Sequence, residues 1–239
     1  MDFDHPSALC KRLASGDLDI ALVSSFEFLR NPIYRIVDDV SISSAGPVYS
    51  VVVAHLGDIS ELEEIQLDPA AETSGNLLQC LLAELDLAAR LIGLSTFGIS
   101  ARRGRLLIGD QAIRFRQKHA KESYFWDLGV QWKKLVDLPF VYALWLVRPE
   151  VRNFKPLANR LRKLRDENLA DIDMLIGEEE EFDRDFCRHY YRENLRFGFG
   201  DREKAGLHEF RRRCIELRLL PREHLEVGAG DLELPLRCI

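Results

Sequence analysis

A β-rich block begins at Val40-Ser-Ile-Ser-Ser44, stops at Ala45-Gly46-Pro47 and resumes as Val48-Tyr-Ser-Val-Val-Val53. Proline has no amide hydrogen for a strand ladder and glycine weakens a strand interior, so the interruption marks a bend or a crossing between layers. A second apolar run, Phe140 to Val147, is bounded by Leu138-Pro139 and by Arg148-Pro149. Around these breaks, short apolar runs alternate with helical patterns, which is the signature of an α/β protein. Two Pro-containing interruptions in such a pattern predict two lobes: residues 1–46 with 141–239 as one, and 47–140 as the other.

Pro6 to Ala14 reads as a helix closed by Ser15-Gly16. Asp19 to Val23 reads as a strand covered on both faces. Leu77 to Ile92 has Leu78, Leu81, Leu82, Leu85 and Ala89 at three- and four-residue steps, which predicts one long helix after the N-cap types Thr73-Ser74. Arg105 to Gly109 is a further buried strand, with Asp110 opening the next helix. Beyond Pro149 the pattern is wholly helical, with stripes at Leu157, Leu161 and Leu164 and at Leu207, Phe210, Cys214 and Leu217. Glu178 to Glu181 reads as a solvated turn, and Arg211-Arg-Arg213 as an exposed basic face.

The 239 residues are 46% hydrophobic and 30% charged, which excludes wholesale disorder. Thirty-three Lys and Arg against 39 Asp and Glu give a net charge of −6, which argues against a nucleic-acid surface and leaves a small-anion pocket open. No stretch approaches the roughly 20 apolar residues needed to span a bilayer. The acidic start Met1 to Pro6 lacks the features of a signal peptide. Five cysteines without C-x-x-C spacing imply neither a disulfide framework nor a zinc site. The histidines His5, His55, His119, His189, His208 and His224 show no metal-ligand spacing. The expectation is a reduced, cytoplasmic protein that binds no metal, nucleic acid or membrane.

Four polar clusters fall at strand ends or helix starts, where α/β folds place ligands. They are Ser24-Ser25, the set Ser41, Ser43 and Ser44 before Gly46, Thr73-Ser74-Gly75-Asn76, and Gly109-Asp110. Hydroxyls, backbone N–H groups and helix dipoles at such places suit a carboxylate or phosphate. Each cluster has a second reading. Ser24 and Ser25 can cap a turn, Thr73 and Ser74 can cap their helix, and Asp110 can be an N-cap. No Gly-rich phosphate loop, dinucleotide fingerprint or G-x-S-x-G elbow is present. Spacing alone therefore stops at an α/β protein for a small anion.

The words around these clusters add more. They are Gly16-Asp-Leu-Asp-Ile-Ala-Leu-Val-Ser-Ser-Phe-Glu-Phe-Leu29, Ser41-Ile-Ser-Ser-Ala-Gly-Pro-Val48, Leu67-Asp-Pro69 with Thr73-Ser74, Leu107-Ile-Gly-Asp110, Asp127-Leu-Gly129, Leu138-Pro-Phe-Val-Tyr-Ala-Leu-Trp145, and Gly206-Leu-His-Glu-Phe210. In that order the chain resembles the chorismate dehydratase family of the futalosine route to menaquinone. The resemblance implies the type II periplasmic-binding-protein fold, two α/β lobes with a ligand cleft between them. Gly46-Pro47-Val48 would be the outward crossing and Leu138-Pro139-Phe140 the return. It also implies loss of water from chorismate to give 3-[(1-carboxyvinyl)oxy]benzoate, with no metal or redox cofactor. Ser24 and Asp110 would be catalytic. Ser25, Ser43, Ser44, Gly46, Thr73, Ser74, Gly75 and Gly109 would bind substrate.

The chain departs from the family's pattern in three places. Family members usually begin with a strand bearing a Tyr-Leu-Asn word whose Asn serves in the catalytic site, and this sequence starts after it. The expectation is a chain that self-associates and turns over slowly unless extended upstream. Ala71-Glu72-Thr73-Ser74 replaces a Ser-Arg-Thr-Ser word, and Val136-Asp137 replaces a Thr-Gly. The sister enzyme that processes cyclic dehypoxanthine futalosine usually carries a His near the position of Gly109. A non-catalytic, cytoplasmic carboxylate-binding protein of the same fold is the alternative from another class. Oligomeric state is not legible.

Overall fold

The computed structural model describes residues 4, 6–68, 71–94, 98–220 and 236–239; His5, Pro69 and His224 lie outside the described residues. The chain divides into two compact units, Met1–Ala45 with Leu138–Ile239, and Gly46–Asp137. The first opens with α1 (Pro6–Ser15), β1 (Ile20–Ser24), α2 (Ser25–Arg30) and β2 (Arg35–Ser44). The second holds β3 (Val51–His55), β4 (Glu64–Leu67), α3 (Glu72–Glu84), β5 (Arg90–Gly93), β6 (Arg103–Ile108), α4 (Gly109–Lys118), β7 (Tyr124–Asp127) and α5 (Leu128–Val136). The chain returns as β8 (Phe140–Val147), followed by α6 (Lys155–Ala170), α7 (Ile172–Gly177), α8 (Arg184–His189) and α9 (Asp201–Glu216).

In the first unit β8 lies between β1 and β2 and runs antiparallel to both. Its apolar run suits a central strand, because pairing on both sides and packing on both faces leave little room for water. By contrast β1 alternates buried and half-buried residues, so the expected strand covered on both faces is corrected to a pleated edge. α6 packs over the sheet, with Ala158 and Leu161 against Val37, Val40 and Val147. Two other stretches cover the outer edge of β2. Ser43 and Arg196 exchange backbone hydrogen bonds of 2.9 and 2.8 Å, and the Ile36 amide donates to the Arg237 carbonyl at 3.0 Å. Those bonds satisfy edge groups that would otherwise invite another strand. They also correct the wholly helical tail, since Cys238 forms a parallel bridge with Ile36.

The expected basic face on α9 is overturned as well. Arg211 and Arg213 are buried with Gly206, Leu207, Phe210 and Cys214, and Arg212 alone of the three is half-exposed. Arg213 Nε donates to Glu209 Oε1 at 2.7 Å, and burial lowers the pKa of the Arg211 guanidinium. Long aliphatic stems can line an apolar seam while their heads find polar partners, and a count of charges along the helix hides this. α9 also meets the return crossing. A Cβ on Gly206 would stand 2.0 Å from the Pro139 carbonyl oxygen, and the Phe210 ring lies 4.9 Å from Phe140.

The second unit has a five-stranded sheet of order β5-β4-β6-β3-β7. β4 is parallel to β5 and β6, while β3 is antiparallel to β6 and β7. α4 and β7 close an apolar cluster in which Ala112, Phe115 and Phe125 meet Val52, Ala54 and Leu107. α3 buries Leu77, Leu78, Leu81 and Leu82. The expected helix from Leu77 to Ile92 is cut in two. α3 ends at Glu84, Asp86 takes a left-handed φ of 52°, and Arg90–Gly93 is strand β5. Ile92 keeps the helical phase of the preceding leucines, but pairing with β4, a tertiary effect, decides its state. Among the described residues no helix is long and apolar enough to cross a membrane.

His55, at the end of β3, is buried with Nδ1 2.9 Å from the Gly57 carbonyl oxygen, and burial lowers its pKa. The unfolded chain therefore binds more protons there once the pH falls below the ordinary histidine value of about 6.5, and stability is lost as pH drops through that window. Urea unfolding at neutral and mildly acid pH should show this loss, and His55→Gln should reduce it. Gly206→Ala should destabilise by about 1–3 kcal/mol through overpacking against Pro139; an unchanged urea midpoint would contradict the contact.

Candidate functional site

In the first unit the strand directions gather hydroxyls at one end of the sheet. Ser24 pairs with Ala143, Ser43 with Val141 and Ser44 with Phe140, so the carboxyl ends of β1 and β2 flank the amino end of β8. Ser24 occupies the N-cap position of α2, but its side chain makes no capping bond, which corrects the capping reading. Ser25 is fully buried and its Oγ donates to the Val141 carbonyl at 2.7 Å, tying α2 to β8. Ser43 and Ser44 are buried too; Ser44 Oγ lies 3.2 Å from the Tyr142 hydroxyl, and Ser41 Oγ donates to the Gly198 carbonyl at 2.5 Å.

The sequence reading passed over Glu27. Its carboxylate is buried on α2 and ion-paired with Arg30. Nearby, burial first and then Glu27 and Cys10 raise the pKa of the Tyr34 hydroxyl. A signal existed: Ser24 followed three residues later by Glu27 has the spacing of a capping box.

The second unit gathers its own polar end. The carboxyl ends of β4, β6 and β7 and the amino end of β3 lie together, since Val51 pairs with Ile108 and Val52 with Asp127. Thr73 and Ser74 are buried inside the first turn of α3, whose N-cap position is Ala71, so the capping reading is corrected here as well. By helix geometry the first-turn amides have no carbonyl one turn back, and with two hydroxyls the turn offers donors to an anion. Gly75 follows, its amide donating to the Ala71 carbonyl at 2.7 Å. Gly109 takes a left-handed φ of 57°, which favours glycine, and its amide donates to the Ser50 carbonyl at 2.8 Å. Ile108 is the N-cap residue of α4; Asp110 lies inside the helix, 67% exposed at its side chain and 3.8 Å from Arg114. Gly46, where the chain enters this unit, has a φ of 153°. Asp127 is the buried carboxylate at this end, and it accepts the Val130 amide as N-cap of α5.

A family model described as menaquinone biosynthesis matches residues 2–216. A chorismate dehydratase of Thermus thermophilus is 33% identical over 186 residues, covering 70% of this chain and 68% of that protein. The chain belongs to this menaquinone biosynthesis family. A crystal structure of an Archaeoglobus fulgidus protein superposes with a TM-score of 0.66 at 19% identity, over 91% of this chain and 86% of that one. A Candida albicans gene product, described as having the generic periplasmic binding protein fold, matches with a TM-score of 0.56 at 11% identity, over 95% and 80% of the two chains. The family member described here thus has a periplasmic-binding-protein-like fold made of two α/β units, as its sequence words implied.

Ser25→Ala should lower stability by about 1 kcal/mol, because a buried carbonyl loses its donor. Its affinity for a small anion should stay within about twofold, because the hydroxyl is already donated to β8. Urea unfolding and calorimetric titration check the two halves.

Proposed function

We propose that the protein is a cytoplasmic lyase that dehydrates chorismate to 3-[(1-carboxyvinyl)oxy]benzoate on the futalosine route to menaquinone. The observation that carries this reading is the 33% identity to a chorismate dehydratase over 186 residues. The hydroxyl-rich sheet ends support it, because the substrate is a small dianion and each unit offers neutral donors.

The reaction breaks the C3–H and C4–O bonds of the ring, forms the C3–C4 double bond and releases water. Aromatisation supplies the driving force, so no redox or metal step is needed to balance it. In this reading Thr73, Ser74 and the first turn of α3 hold a carboxylate, with Gly75 and Gly109 keeping side chains out of the way. In the same reading Ser24 and Asp110 handle the proton and the departing hydroxyl, and Ser25, Ser43, Ser44 and Gly46 bind substrate. Holding the ring so that both bonds align, with water excluded, supplies most of the acceleration.

Incubation with chorismate, followed by chromatography of the aromatic product, tests the reading directly. Product formation without added metal is expected; binding without turnover would favour a carboxylate-binding protein instead. Replacing Thr73 and Ser74 together by Ala should weaken chorismate binding by about 1–3 kcal/mol, the worth of hydrogen bonds to a charged group. Unchanged binding with a lowered melting temperature would show that these hydroxyls serve only the helix.

A further inference from the structure

We infer that Asp127 and Arg116 clamp the segment Val48 to Ser50 in a single backbone conformation, and that Asp127 is thereby a positioning residue for ligand binding at the polar end of the second unit. The choice of chorismate as the ligand rests on the dehydratase reading; the clamp itself does not.

The segment is unusual in what holds it. Val48 to Ser50 precede β3 and take no part in its ladder. The Val48 amide lies 3.2 Å from each oxygen of the Asp127 carboxylate, and the Tyr49 amide donates to Oδ2 at 2.8 Å. Asp127 Oδ1 also accepts the Val130 amide at 3.1 Å. Capping α5 requires only that last bond, which a serine or asparagine could make. A buried carboxylate with donors from two chain segments does more than cap a helix.

Arg116 holds the other side. Its guanidinium sits 4.1 Å from the Tyr49 ring centroid, Nη1 donates to the Tyr49 carbonyl at 3.4 Å, and Nη1 lies 3.9 Å from Asp127 Oδ2. Tyr49 is thus gripped at its amide by Asp127 and at its carbonyl and ring by Arg116. It needs the grip, because its φ of 64° is left-handed and sterically unfavourable for a residue with a side chain. Such strain persists only where the surroundings over-determine it, and it concentrates at functional sites. The clamp continues through Ser50, whose carbonyl accepts the Gly109 amide at 2.8 Å. A relaxed Tyr49 would therefore move the start of α4, where Gly109 and Asp110 lie.

The test combines amide hydrogen exchange with chorismate kinetics on the full chain, comparing wild type with Asp127→Asn and Arg116→Gln. Asp127→Asn removes the charge and one acceptor, and should speed exchange at the Val48 and Tyr49 amides by about tenfold or more while Val52 and Val53 in β3 keep their protection. The KM for chorismate should rise about tenfold with kcat within about twofold, the pattern of lost binding without lost chemistry. Arg116→Gln leaves the carboxylate bonds in place and keeps the test usable if the Asp127 variant fails to fold. It should shift both readouts in the same direction by a smaller factor. Unchanged exchange in both variants overturns the clamp. Faster exchange with unchanged KM overturns the positioning role, as does a fall in kcat alone that tracks the folded fraction. A wild-type protein that neither binds nor converts chorismate sinks the dehydratase reading, and the exchange data alone then decide the clamp.

Discussion

The first unit depends on β8. Its residues pair with β1 through Ile20↔Val147 and with β2 through Arg35↔Val147, partners more than a hundred positions apart in the chain. The three-stranded sheet closes only by bringing β8 back across the whole length of chain that forms the second unit. Loop closure over such separations makes folding slow, since its entropy is lost before the contacts form. The antiparallel placement of β8 also decides which hydroxyls meet at the sheet end. Its amino-terminal residues stand beside the carboxyl ends of β1 and β2, and that alone brings Ser24, Ser43, Ser44 and Tyr142 to one place.

The second unit repeats the arrangement with other elements. β3 runs opposite to β6 and β7, so its first residues meet the helix start at Gly109 and the carboxylate of Asp127. The outward crossing from Ser44 to Val51 therefore joins the hydroxyl-rich end of one sheet to the polar end of the other through the covalent chain.

Much of this was legible in the sequence, for local reasons. β8 matches its apolar run because prolines bracket it and nothing inside it favours another state. The polar clusters were found because hydroxyls follow strand ends, and strand ends are marked by apolar runs that stop. What escaped was decided at long range. Ile92 became strand by pairing with β4, against its helical phase. Arg211 and Arg213 were buried by packing that no charge count reports. The Ser25 hydroxyl found the Val141 carbonyl 116 residues away, a partner that no local pattern announces. Glu27 carried a local signal, but the burial that makes it notable is a property of the folded unit.

A fold shared with binding proteins asks little modification to host a dehydration of the proposed kind. The ring gains aromaticity, so the thermodynamic drive resides in the substrate and the protein's task is kinetic. Alignment of two bonds and exclusion of water can supply several powers of ten when the holding groups do not move. Donors fixed at the ends of sheet strands meet that condition better than donors on free loops, because each is braced by a ladder on at least one side. The residues that matter then include those that never meet the substrate. A carboxylate such as Asp127, gripping backbone amides beneath a strained tyrosine, is the kind of support by which a binding surface becomes rigid enough for chemistry, and it does so without adding a reactive group.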